Sequence, residues 1–98
     1  MPKAFWVVTY RSISKPDAMT AYANFAGPAI TEAGGRFLAR GMPVKTYEAG
    51  MDQRVVLIEF DSAEKAIAAH DSPGYKKALE ALGADNVVRD VRIIEAAA

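Results

Sequence analysis

Apolar and polar residues alternate along this chain with two different periods, and the order in which the periods change predicts the elements. Ala4–Arg11 is packed with strand formers, among them Phe5, Trp6, Val7, Val8, Thr9 and Tyr10. Such β-branched and aromatic side chains suit a pleated surface. Both alternating sets contain apolar groups, so both faces of this strand are expected to be covered. Ser14-Lys15-Pro16-Asp17 then reads as a helix start, with Ser14 as the cap, Pro16 in the first turn and Asp17 where the helix dipole favours an acid. Met19, Tyr22, Ala26, Ile30 and Ala33 recur at steps of three and four and so lie on one helical face. Gly27-Pro28 interrupts this pattern and predicts a kink or a brief break. Gly34 is expected to end the helix in a left-handed cap.

Arg36–Arg40 predicts a short second strand closed by Gly41. Pro43–Glu48 reads as an extended arm, and Ala49-Gly50-Met51-Asp52 as a turn. Arg54–Phe60 carries Val55, Val56, Leu57 and Ile58 in one run, the signature of a central strand covered on both faces. Asp61-Ser62-Ala63-Glu64 reads as a capping box for a helix whose inward face is Ala63, Ala66, Ile67 and His70. Ser72-Pro73 restarts a helix with Tyr75, Ala78, Leu79 and Leu82 inward, and Gly83 ends it. Val87–Glu95 is the last strand.

The resulting order is β-α-β-β-α-β with the second helix split in two. That is the ferredoxin-like plan of α+β proteins, a four-stranded antiparallel sheet with helices on one face. It fills residues 1–98 as a single domain. Helices cover one face of such a sheet, yet the strands are apolar on both. The second face is therefore expected to be buried by a second copy, giving a homodimer packed through its sheet faces.

Composition narrows the partners. Ninety-eight residues suffice for one domain with a thin core. Twelve basic residues balance twelve acidic ones, which argues against nucleic acid or an anionic membrane as the main partner. The chain has no cysteine and one histidine. Thiol chemistry is thereby excluded, and no metal site or cofactor is expected. The N-terminus lacks a signal-peptide pattern, and no apolar run approaches the roughly 20 residues of a membrane span, so a cytoplasmic location is expected. Walker loops, dinucleotide fingerprints and nucleophile elbows are absent from the sequence.

The aromatic first strand, Pro16-Asp17 with Tyr22, Gly-Gly-Arg-Phe-Leu-Ala-Arg-Gly at 34–41, Val-Leu-Ile-Glu-Phe at 56–60 and Asp-Ser-Pro-Gly-Tyr at 71–75 together resemble the bacterial family called domain of unknown function 1330. The likeness covers roughly residues 3 to 95. It implies membership of the dimeric α/β-barrel superfamily: a homodimer whose two sheets form a barrel-like body with a cavity. It implies no activity. Relatives in that superfamily include cofactor-free monooxygenases, isomerase-like enzymes, haem-binding members and sensing domains, and one fold hosting so many functions selects none of them.

Candidate chemistry is sparse. Arg11, Arg36, Arg40, Arg54, Arg89 and Arg92 lie in or at the ends of predicted strands, whereas Lys15, Lys65, Lys76 and Lys77 lie at helix starts or on outer helical faces. Arginine suits sites where a cation is partly buried against a carboxylate or an anionic ligand. Period-two geometry places Arg36 and Arg40 on one face, where Arg40 is expected to meet Glu59. His70, the one group that titrates unaided near neutral pH, is the candidate general base, with Glu59 or Asp71 as its orienter. Thr9, Tyr22, Arg36, Arg40 and Tyr75 are the candidate ligand-binding residues. Each has a purely structural alternative: an ion pair that pins the sheet, a histidine held by a helix terminus, tyrosines whose rings belong to the core. The functional expectation is a small dimer with a cavity near Arg40, Glu59, His70 and Tyr75. The cavity binds, or acts without cofactor on, a small acidic or phenolic metabolite. The alternatives are a non-catalytic sensing module and a purely structural dimer.

Overall fold

The computed structural model describes residues 2–97. The chain runs β1 (Ala4–Ile13), α1 (Pro16–Glu32), β2 (Arg36–Gly41), β3 (Val55–Phe60), α2 (Ala63–His70), α3 (Pro73–Leu82) and β4 (Val87–Glu95). The sheet order is β2-β3-β1-β4, with every neighbouring pair antiparallel. This is the ferredoxin-like α+β fold expected from the sequence. The two strands richest in apolar residues, β1 and β3, occupy the centre, where flanking strands satisfy both of their backbone edges.

One face of the sheet carries all three helices. Ala4, Trp6, Val8 and Tyr10 of β1 and Val56, Ile58 and Phe60 of β3 are buried there. They pack against Tyr22, Ala26 and Ile30 of α1, Ala66 and Ala69 of α2, and Tyr75, Ala78 and Leu82 of α3. Alanines on α2 and α3 let those helices approach a sheet filled by Trp6 and Phe60. The Trp6 indole N–H donates to the Ala66 carbonyl at 2.9 Å, so the largest core side chain leaves no buried donor unpaired. The Cα envelope is 17 Å along its short axis, enough for one sheet and one helical layer. Phe5, Val7, Thr9, Val55 and Leu57 lie on the opposite face, where no element of the chain covers them.

Several local expectations are corrected. Ser14 does not cap α1: its hydroxyl donates to the carbonyls of Asp85 and Asn86, and Lys15 is the N-cap without a side-chain bond. Tying the end of β1 to the start of β4 displaced the cap. Gly27-Pro28 does not break α1, which continues through Pro28. The carbonyl that Pro28 leaves without an amide partner belongs to Asn24, on the exposed side of the helix, where water can satisfy it. Residues 43–48 form no strand. Instead Gly50 N–H bonds the Tyr47 carbonyl at 2.8 Å in a tight turn. Ile67 is half exposed, and Ala69 takes its expected place in the core.

The helix ends otherwise follow the sequence. Ser62 and Ser72 cap α2 and α3 by accepting from the amides of Lys65 and Tyr75. Gly34 adopts φ 94° beyond the end of α1, as a left-handed cap requires. Its neighbour Gly35 is needed for a different reason. A Cβ there would lie 2.5 Å from Ile30 Cγ2 and 2.9 Å from the Phe60 ring. Gly35→Ala is expected to destabilise the fold by about 1–3 kcal/mol through overpacking, measured as a lowered midpoint in chemical denaturation.

Candidate functional site

Strand parity decides which charged side chains meet. A β-bulge breaks that parity in β2. Arg36 lies opposite Glu59 and Phe37 opposite Ile58, but Ala39, not Leu38, lies opposite Leu57, and Arg40 opposite Val56. The inserted residue carries Arg40 round to the helix side with Phe37 and leaves Arg36 on the open face. The expected sharing of one face by Arg36 and Arg40, and the pairing of Arg40 with Glu59, are therefore corrected. It is Arg36 that pairs with Glu59, Nε to Oε1 at 2.9 Å, while its second nitrogen reaches Asp61 Oδ1 at 2.9 Å. Lys3 adds a longer contact to Glu59 at 3.4 Å. Arg40 instead stands over the Phe37 ring, 4.8 Å from its centroid.

On the open face Asp90 is the second ionic node. It accepts from the Thr9 hydroxyl at 3.1 Å and from Arg11 at 3.2 Å, and it pairs with Arg92 at 3.2 Å. Thr9 and Arg36, expected to bind ligand, are thus engaged on this face, away from the helices. Hydrogen bonds from Arg36 hold the Glu59 carboxyl below its ordinary value of 4.5, and those from Arg11 and Thr9 lower Asp90 likewise.

On the helix side the structure assembles a different group. Arg89 of β4 lies opposite Tyr10, the last pair of the regular β1–β4 register before a second bulge between Tyr10 and Ser12. The Arg89 guanidinium donates to three phenol oxygens: Tyr10 at 3.1 Å, Tyr22 at 3.2 Å and Tyr75 at 2.9 Å. The Tyr22 and Tyr75 hydroxyls are themselves 2.7 Å apart. Burial pushes the Tyr22 hydroxyl well up, aided by its closeness to Tyr75 and only partly opposed by Arg89, and burial raises Tyr10 too. These phenols are neutral donors and acceptors at physiological pH, not bases. Burial works against the charge on Arg89, but the surrounding tyrosine oxygens more than offset it and the net shift is upward.

Beside this cluster, between α1 and the sheet, lies a cavity of about 60 Å³. Its apolar wall includes Val8, Met19, Ala26, Ile30, Val56 and Ile58, and its polar wall is Tyr10, Tyr22, Arg40, Arg54 and Arg89. Among the described residues no aspartate or glutamate lines it. Of the residues singled out in the sequence, Arg40 and Tyr22 line this cavity, and Tyr75 reaches its edge through the shared hydroxyl contacts. Arg54 and Arg89 were visible as in-strand arginines but not as site residues, because their meeting with Tyr10, Tyr22 and Arg40 depends on the pairing of separate strands and on the bulge that turns Arg40.

His70 and Glu59 are not brought together. Glu59 is on the open face. The His70 ring is on the helix side, 5.6 Å from the Trp6 ring and 5.1 Å from the Tyr75 ring, with Nδ1 3.6 Å from Asp71 Oδ1. Neither residue lines the cavity. Among the described residues no group of three or more histidine, cysteine or acidic side chains is arranged to hold a metal ion.

Fold and cavity define a small ferredoxin-like α+β protein with an arginine-lined pocket between sheet and first helix. The chain belongs to the DUF1330 family, a domain of unknown function whose family model matches residues 3–97. No curated protein sequence matches it. Among solved structures it is similar to a protein of unknown function from Rhodopseudomonas palustris, with 20% identity, TM-score 0.67, and 97% of this chain and 81% of that one covered. It is also similar to a dimeric ferredoxin-like protein of unknown function from Thermobifida fusca, with 17% identity, TM-score 0.65, and 97% and 92% covered. A third is a cofactor-independent oxygenase from Streptomyces nogalater, with 15% identity, TM-score 0.62, and 100% and 96% covered. At these identities the likeness establishes the fold and leaves function to the site.

The Arg36–Glu59 pair yields a pH prediction. A carboxylate whose folded-state pKa is depressed contributes stability that is complete above its unfolded value and is lost as pH falls through the folded one. The stability advantage of the wild-type chain over Glu59→Gln is therefore expected to be largest near neutral pH. It should shrink as pH falls below 4.5, read from denaturation midpoints across a pH series. An advantage independent of pH would contradict the assignment.

Proposed function

We propose that this protein is a homodimeric binding module for a small organic acid, held in the cavity between α1 and the sheet. One observation carries the reading: Arg40, Arg54 and Arg89 line one largely apolar cavity that, among the described residues, no carboxylate lines. Uncompensated guanidinium charge in a partly desolvated space favours an anion, and the aliphatic wall favours an organic body attached to it. A volume of about 60 Å³ accommodates acids of roughly four to six heavy atoms, since each water-sized probe position takes up about 10–15 Å³.

The geometry supports binding over acid–base turnover. The cavity is lined by raised phenols and guanidinium groups, none of which is a base near neutral pH. His70 is walled off by Trp6 and Tyr75, so a proton-transfer role would need a second site around His70 and Asp71. The test is a thermal-shift and ligand-observed NMR series with isobutyrate, benzoate, inorganic phosphate and isobutylamine. Isobutyrate is expected to raise the melting temperature in a concentration-dependent way and isobutylamine to leave it unchanged. A response to neither acid, or an equal response to the amine, would overturn the reading.

The dimer rests on the open face of the sheet. Phe5, Val7, Val55 and Leu57 occupy its centre on β1 and β3, and Ile94, opposite Phe5 and 58% exposed, extends that patch. An exposed apolar patch rimmed by polar residues marks an interaction surface. The similar Thermobifida fusca protein is dimeric. Leu57→Glu places a charge at the centre of that face and is expected to give monomers in size-exclusion chromatography with light scattering. Wild-type protein running as a monomer at micromolar concentration would refute the dimer.

A further inference from the structure

The three cavity arginines are not equivalent. Arg89 spends its terminal nitrogens on three tyrosine hydroxyls drawn from β1, α1 and α3. Arg40 is exposed at the rim and stacks on Phe37. Arg54 makes no side-chain hydrogen bond or ion pair among the described residues. Its Nε atom is buried without a partner, an arrangement that a folded protein tolerates at a cost. Only its backbone is engaged: the amide donates to Gln53 Oε1 at 2.9 Å and the carbonyl accepts from Tyr10 at 3.0 Å. Arg54 also lines a second depression, a surface groove formed with Ile13, Pro16, Met19, Thr20, Ala23 and Gln53. Met19, Ala23 and Arg54 are common to the groove and the inner cavity, so the Arg54 side chain stands on the boundary between them.

We infer that Arg54 is the residue that grips the ligand's carboxylate, at the passage from groove to cavity, and that Arg89 is a structural tie. This rests on the acid-binding reading above and divides the labour within it. The body of the acid lies against Ile30, Val56 and Ile58, and its carboxylate faces the orphaned Nε. A guanidinium presents Nε–H and a terminal N–H as a parallel fork that matches the two oxygens of a carboxylate. The inner free fork is that of Arg54: at Arg89 the terminal nitrogens are committed to phenols, and Arg40 lies exposed at the rim, without the buried, unpartnered Nε that Arg54 has. The ligand class that follows is a compact monocarboxylate entering beneath Met19 and Ala23. Acids with a longer tail would leave that tail in the groove.

The experiment titrates isobutyrate into wild-type protein and into the Arg54→Met and Arg89→Lys variants, following amide chemical shifts and thermal melting in parallel. Arg54→Met is expected to weaken isobutyrate binding about tenfold or more, the loss of a charge-assisted pair. Its melting temperature in the absence of ligand should stay level or rise, because an unpartnered buried donor has been removed. Arg89→Lys is expected to lower the ligand-free melting temperature, since an ammonium cannot span three hydroxyls. Wild-type affinity in Arg54→Met overturns the assignment alone. So does an Arg54→Met chain that melts early or fails to fold, which would mean that Arg54 has a structural partner. Wild-type protein indifferent to isobutyrate in both readouts overturns the acid-binding reading and this assignment with it.

Discussion

A positive charge sits between the sheet and the helices of this protein, met by three neutral tyrosine oxygens and no carboxylate. Moving a guanidinium away from water is costly unless its N–H groups find acceptors. The Tyr10, Tyr22 and Tyr75 hydroxyls supply them, and each comes from a different element. Satisfying Arg89 therefore fixes β1, α1 and α3 against β4 at one point. Burial opposes the ionisation of Tyr10 and Tyr22 more than the neighbouring guanidinium favours it, so those two phenols stay protonated. The cation is solvated but not neutralised, and the adjoining cavity inherits its field.

Which further arginine joins that field was decided by a β-bulge in β2. The alternation rule reads Arg36, Leu38 and Arg40 as one face, and it would be right in a regular strand. One extra residue at Leu38 reverses the parity for Arg40 alone. Arg36 remains on the open face to hold Glu59 and Asp61, and Arg40 joins the cavity. Nothing in the local sequence marks the bulge, since Phe37-Leu38-Ala39 has no glycine or proline, and the signal is the register against β3. The bulge at Arg11 in β1 is equally silent. Legibility ended at those points. The element order, the serine caps of α2 and α3, the Gly34 cap and the core on Trp6, Tyr22 and Tyr75 depend on local pattern and were readable. Face assignment beyond a bulge depends on pairing and was not.

Two other misreadings have the same origin. Ser14 has the right spacing to cap α1, but a stronger geometric demand, joining β1 to the carbonyls of Asp85 and Asn86, took its hydroxyl. Pro28 removes one amide from the ladder of α1, but the carbonyl it strands belongs to Asn24 on the exposed side, so the loss is tolerated and α1 runs on, bringing Ala26 and Ile30 down onto the cavity. In each case the residue's intrinsic preference was clear, and its tertiary surroundings decided the outcome.

The formal charge of the chain is zero, and that balance hides a separation. Asp90, Glu59 and Asp61 are engaged by Arg11, Arg92, Arg36 and Lys3 on the open face and at its edge. Arg40, Arg54 and Arg89 are left to the helix side without carboxylate partners. A sheet is a thin partition, but side chains on its two faces point away from each other, and the ion pairs on one face do little to cancel cations on the other. Net charge governs long-range attraction to polyanions, and on that scale the chain is neutral. A small acid entering between α1 and the sheet meets only the local balance, which is strongly positive. Composition argues against large anionic partners and is silent about small ones, because the sorting of charge between the two faces is a property of register and not of count.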